Sequence, residues 1–102
     1  MFKLHLTDNG KRDILEIGWY IYEQLDSPVA AINTVEKIEV AIRKIPDNPY
    51  IYPKVRDDRL AAMGYRSVVI NNYVAFFVID EAAKIVSIDR VIYGRRDWAH
   101  IL

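Results

Sequence analysis

Apolar residues recur along this chain with two periods, and the change from one to the other marks its parts. Phe2, Leu4 and Leu6 alternate with Lys3, His5 and Thr7, which is the period-two pattern of a short strand. Asp8 or Asn9 then offers a helix N-cap. From Lys11 to Leu25 the spacing changes: Ile14, Ile17, Ile21 and Leu25 fall on one helical face, with Gly18 beside them to permit close packing. Trp19, Tyr20 and Tyr22 widen that apolar arc, so this helix is expected to be covered on more than one side. Ser27-Pro28 reads as an N-cap followed by proline at the first helical position. A second helix follows to about Ile45, with Ala31, Val35, Ile38, Ile42 and Ile45 as its stripe, and Pro46 ends it. Only the region of Asp26 separates the two helices, which predicts an antiparallel hairpin.

Pro46 to Leu60 holds three of the four prolines and reads as a connector with one turn of helix or an ordered loop, anchored by Tyr50, Ile51 and Tyr52. Three β-rich runs follow: Tyr65–Ile70, Tyr73–Ile79 and Ile85–Tyr93. Asn71-Asn72 suits a tight turn because asparagine tolerates positive φ, and Asp80 to Lys84 supplies the second turn. Arg95 to Leu102 reads as a short helical end. The order is β-α-α-β-β-β, an α+β fold: a helical hairpin packed on a small, mostly antiparallel sheet, with a short C-terminal helix. Residues 1–102 make one domain, and the hairpin is the available cover for the sheet.

Composition adds bounds. The chain has 102 residues, 52% hydrophobic and 27% charged, which suits one small globular domain. There is no cysteine, so no disulfide framework or Cys-based zinc site; two isolated histidines, His5 and His100, point to no metal. The four glycines are dispersed, so no phosphate-cradling loop and no cofactor is expected. No stretch is long enough to span a membrane, and a cytoplasmic location is expected. The formal net charge is zero, which argues against indiscriminate polyanion binding. Yet the last third carries Arg66, Arg90, Arg95 and Arg96 among its strands. A guanidinium-rich surface of that kind suits phosphates or carboxylates.

The element order, together with YRSVVINNYVAFFVID and DRVIYGRRDW, resembles the RelE/ParE superfamily of bacterial toxins. The resemblance covers nearly the whole chain. It implies the toxin of a type II toxin–antitoxin system, a growth inhibitor of the kind used in plasmid stabilization, held silent by a cognate antitoxin. RelE-like members are messenger-RNA endoribonucleases acting on the ribosome; ParE-like members inhibit DNA gyrase.

The residues divide between these branches. RNA cleavage through the ribose 2′-hydroxyl needs positive groups at the phosphate and benefits from a base and an acid. By the resemblance, Arg66 and Arg96 match basic positions of the ribonuclease site, and His100 is a candidate acid with Asp97 or Glu81 as partner. Val68 and Val74 stand where two further cations are expected. The ending RVIYGRRDW favours the gyrase-directed branch, which needs a binding surface and no catalytic set. Arg66, Arg90, Arg95 and Arg96 are then the target-binding candidates. Arg90 has an alternative use as a sheet residue paired with Asp80 or Asp89, Arg66 one bonded to Glu81, and one of Arg95 and Arg96 one bonded to carbonyls. Trp19, Tyr20 and Tyr22 are candidates for antitoxin binding, unless they complete the chain's own core. A third reading is an inactive binding module of the same fold.

Overall fold

The computed structural model describes every residue from Met1 to Leu102. Strand β1 is Lys3–Leu6, helix α1 Asp8–Leu25 and helix α2 Pro28–Lys44. Two 3-10 turns, Ile45–Asp47 and Pro49–Ile51, and a short helix α3, Asp58–Ala62, form the connector. Strands β2 (Arg66–Ile70), β3 (Tyr73–Asp80) and β4 (Ile85–Tyr93) follow, and α4 spans Trp98–Ile101. The sheet order is β1-β4-β3-β2, with β1 parallel to β4 and the other pairs antiparallel.

Local chemistry explains the boundaries. Helix α1 starts earlier than the periodicity suggests, and its cap is neither Asp8 nor Asn9. Thr7 keeps extended backbone, and its Oγ1 accepts from the Gly10 N–H at 3.0 Å. Ser27 caps α2 as expected, accepting from the Ala30 N–H at 3.1 Å. Asp26 joins the helices in the left-handed region at φ 47°. Asn71, at φ 54°, turns the chain between the paired residues Ile70 and Tyr73.

The sheet carries a core on each face. The hairpin face holds Ile14, Ile17, Ile21, Ile38, Ile42, Ile45, Ala75, Phe77, Val86, Ile88 and Val91. The opposite face has a smaller cluster of Val55, Leu60, Phe76 and Ile92, covered by Tyr65, Trp98, Ile101 and Leu102. The second cover was not foreseen: α3 and α4 close a face that the sequence pattern left open. Trp98 lies on Phe76 with ring centroids 5.3 Å apart, so it plugs this second core.

Helix α1 is seated on β4 at a bulge. Phe76 pairs with Arg90 and Phe77 with Ile88, which leaves Asp89 unmatched. Thr7 binds there twice: its N–H donates to Ile88 O at 3.1 Å and its Oγ1 donates to Asp89 O at 3.0 Å. A Cβ on Gly10 would stand 2.9 Å from the Ile88 carbonyl oxygen, so only glycine allows this approach. Gly18 plays a softer version of that role against α2, where a Cβ would meet Val35 Cγ2 at 3.1 Å.

Candidate functional site

Arg90, next to the bulge, is tied to α1. Its Nε and Nη2 donate to Asp13 Oδ2 and Oδ1 at 2.7 and 2.9 Å, and the Val91 N–H donates to the same Oδ2 at 2.9 Å. Asp13 is the one buried charged residue of the chain. Bonding to Asp13 raises the Arg90 pKa above its already high value, against the opposing effect of burial. The partner is therefore neither Asp80 nor Asp89. Asp13 is one helical turn inside α1 and meets β4 just past the bulge. Asp89 turns to the other face, where its Oδ2 accepts from the Tyr65 hydroxyl at 2.6 Å. Burial, and next that bond, push the Tyr65 phenol up to about 12.

Arg66 is engaged too, though not by Glu81. Its Nη1 donates to the Tyr52 carbonyl at 2.7 Å, and its guanidinium lies 5.3 Å from the Tyr50 ring centroid. Glu81 instead accepts from Lys84 and from the Tyr50 hydroxyl. The Lys84 bond, followed by the Tyr50 bond, holds its carboxyl below the usual range.

Arg95 and Arg96 are exposed and face different clefts, and neither side chain bonds a carbonyl or a carboxylate. Arg96 lines a cleft of about 680 Å³ between α1 and the ends of β3 and β4, whose walls include Tyr20, Tyr73 and Tyr93. Burial, then the neighbouring Tyr20 and Tyr93 phenols, raise the Tyr73 pKa. Arg95 borders a smaller hollow beside Val69, Val74 and Gly94. His100 Nδ1 and Asp97 Oδ2 are 2.6 Å apart, both largely exposed, at the start of α4.

The three aromatic candidates on α1 separate. Trp19 and Tyr22 form an edge-on pair at 5.8 Å and line an apolar groove of about 770 Å³ between α1 and α2, floored by Ile14, Gly18 and Ala31. Tyr20 turns to the Arg96 cleft instead. Their exposures, 62%, 63% and 41% for Trp19, Tyr20 and Tyr22, show that they do not complete the chain's own core. Sequence reasoning missed the Arg96 cleft because it joins an α1 tyrosine to strand ends more than fifty residues on.

The family of ParE toxins of type II toxin–antitoxin systems matches residues 4–98. The chain belongs to this family. The match spans the hairpin, all of β2 to β4 and the arginine-rich ending, so it rests on the whole fold. Among solved structures, the chromosomal ParDE toxin–antitoxin system of P. aeruginosa superimposes with a TM-score of 0.76 at 18% identity, covering 91% of this chain and 96% of that one. The RelBE2 toxin–antitoxin complex of Mycobacterium tuberculosis gives a TM-score of 0.57 at 18% identity, over 90% of this chain and 96% of that one. At such identities the likeness is one of fold. No curated protein matches in sequence. The expected superfamily, fold class and toxin assignment thus hold, and no helix of this ParE-family chain is long and apolar enough to cross a membrane.

Proposed function

We propose that this ParE-family toxin arrests growth by inhibiting DNA gyrase in the bacterial cytoplasm, and that a cognate antitoxin silences it. One observation carries the choice of target: the two arginines required at a scissile phosphate do not converge. Arg66 sits opposite Phe77, at the connector end of the β2–β3 hairpin, while Arg96 follows Tyr93, which sits opposite Tyr73 at the turn end. The four steps from Tyr73 to Phe77 span about 13 Å of strand. A ribonuclease site needs its cation, base and acid within hydrogen-bond reach of one phosphate. Here Val68 and Val74 lie between the arginines, and Arg66 is already committed to Tyr52.

Protein recognition makes no such demand. Arg95 and Arg96, exposed and unpaired, suit carboxylates on a partner, where a planar guanidinium can make two bonds at once. The Trp19–Tyr22 groove suits an amphipathic antitoxin helix, with the aromatic pair as its anchors.

A second reading, ribosome-dependent cleavage of messenger RNA, draws support from the His100–Asp97 pair beside Arg96, which has the geometry of an oriented proton-transfer group. The deciding experiment adds the purified chain to gyrase in a supercoiling assay, and in parallel maps messenger-RNA 5′ ends after induction without antitoxin. Lost supercoiling with intact messages supports gyrase. Codon-phased cuts that vanish in Arg96→Ala would establish the ribonuclease and remove gyrase. If neither occurs with folded protein, the chain is a binding module.

A further inference from the structure

The outer edge of β2 is half sealed and half open. In an antiparallel ladder, successive residues point their backbone groups alternately toward and away from the paired strand. Tyr65 and Ser67 point away from β3, and the connector takes both: the Val55 N–H donates to Tyr65 O at 3.1 Å, and the Ser67 N–H donates to Pro53 O at 3.2 Å. Val69 is the next residue of that parity. Its N–H and C=O have no partner on that side, because the covering segment ends at the Lys54–Arg66 bridge.

Protected sheet edges carry lysine or proline on the strand, or a bulge. This edge carries Val69, a β-branched residue left 70% exposed. Beside it runs a groove of about 640 Å³ between β2 and α2, with Val40, Ala41 and Tyr52 in its walls. Lys37 and Lys44 line this groove against a single acid, Glu36, and neither lysine is ion-paired. On the other side of Val69 stands Arg95, also unpaired. An open strand edge thus lies between cations on both flanks.

We propose that the Val68–Ile70 edge is a docking site for an extended acidic segment of a partner protein, which adds a short fifth strand to the sheet. The Val69 backbone supplies two main-chain hydrogen bonds. Apolar side chains of the segment cover Val69 and Val40, and its carboxylates meet Lys37, Lys44 and Arg95. The site is distinct from the groove between α1 and α2 and from the Arg96 cleft. It does not rest on the gyrase reading.

The test uses two synthetic peptides, one repeating a glutamate pair and a valine pair so that each strand face carries both, and its lysine–valine counterpart, and reads hydrogen exchange at the Val69 amide. Saturating acidic peptide is expected to slow that exchange at least tenfold, with no effect from the basic peptide. Lys37→Glu with Lys44→Glu, a surface change that leaves the fold intact, should abolish the protection. Val69→Pro, tolerated on an edge strand whose N–H faces outward, should abolish binding of the acidic peptide. Three results would overturn the proposal: no protection at Val69, equal binding of both peptides, or protection without peptide that grows with protein concentration. The last would make the edge a contact between two copies of this chain. The assay reads neither growth nor supercoiling, so its failure is separable from failure of the gyrase reading.

Discussion

Asp13 and Arg90, 77 positions apart, form a two-point ion pair that also ties down the Val91 N–H at the β4 bulge. One carboxylate therefore anchors a helix, orients a guanidinium and satisfies a backbone donor on the β4 edge beyond the end of β1. Asp13→Ala leaves Arg90 and the Val91 N–H without partners in a largely buried site. The expected cost is about 3 kcal/mol in urea unfolding, since breaking one half of a buried pair strands the other charge. A loss below about 1 kcal/mol would place the pair among solvent-screened ones and remove its anchoring role.

The two helix glycines make a paired prediction. Gly10→Ala drives a Cβ into the Ile88 carbonyl, a backbone atom that cannot turn aside. It should cost about 1–3 kcal/mol, the range for overpacking a tight contact. Gly18→Ala meets only a Val35 methyl, and alanine gains up to about 1 kcal/mol in helix propensity. Its net effect should be small or stabilising. Thermal melts of the two variants side by side decide it, and equal losses would refute the distinction.

Features of this fold that depend on neighbours in sequence were legible from sequence. Ser27 with Pro28 sets the start of α2, and the stripe from Ala31 to Ile45 sets its buried face. Asn71-Asn72 fixes the hairpin turn. The α1 cap was less determined, because Thr7, Asp8 and Asn9 are all good caps; the docking of Thr7 on Ile88 and Asp89 selects among them. The partners of the arginines were illegible for a further reason. Asp13 meets Arg90 across 77 positions through the docking of α1 on β4, and Arg66 binds a carbonyl, an acceptor present at every residue. The split of Trp19 and Tyr22 from Tyr20 follows from helix rotation, but which face each meets depends on how α1 sits on the sheet.

Tyr65 gives a pH prediction. Its folded-state phenol titrates at about 12, above the ordinary 10.0, with burial first and the Asp89 bond second as causes. A raised pKa means that the fold favours the neutral phenol. That contribution is fully present below pH 10.0 and is lost as the pH rises through about 12. Unfolding measured across this window should show Tyr65→Phe losing less stability than the parent as pH increases. Parallel curves for the two proteins would mean that neither burial nor the Asp89 bond raises the phenol's pKa in the fold.

The aromatic face of α1 gives the last prediction. Trp19 is mostly exposed and touches Tyr22 edge-on, so Trp19→Ala should leave stability within about 0.5 kcal/mol of the parent. Burying such a ring under a partner helix is worth about 1.5–3 kcal/mol, so the same change should weaken antitoxin binding at least about tenfold. Trp19 and Tyr22 share one groove, so their alanine effects on binding should couple in a double-mutant cycle. Tyr20 lies in the Arg96 cleft, so Trp19→Ala and Tyr20→Ala should add independently. Calorimetric titration of the cognate antitoxin into each variant measures both. Coupling of Trp19 to Tyr20 as strong as to Tyr22 would mean that the antitoxin bridges the two clefts, and a Trp19→Ala affinity equal to the parent's would remove the groove as its site.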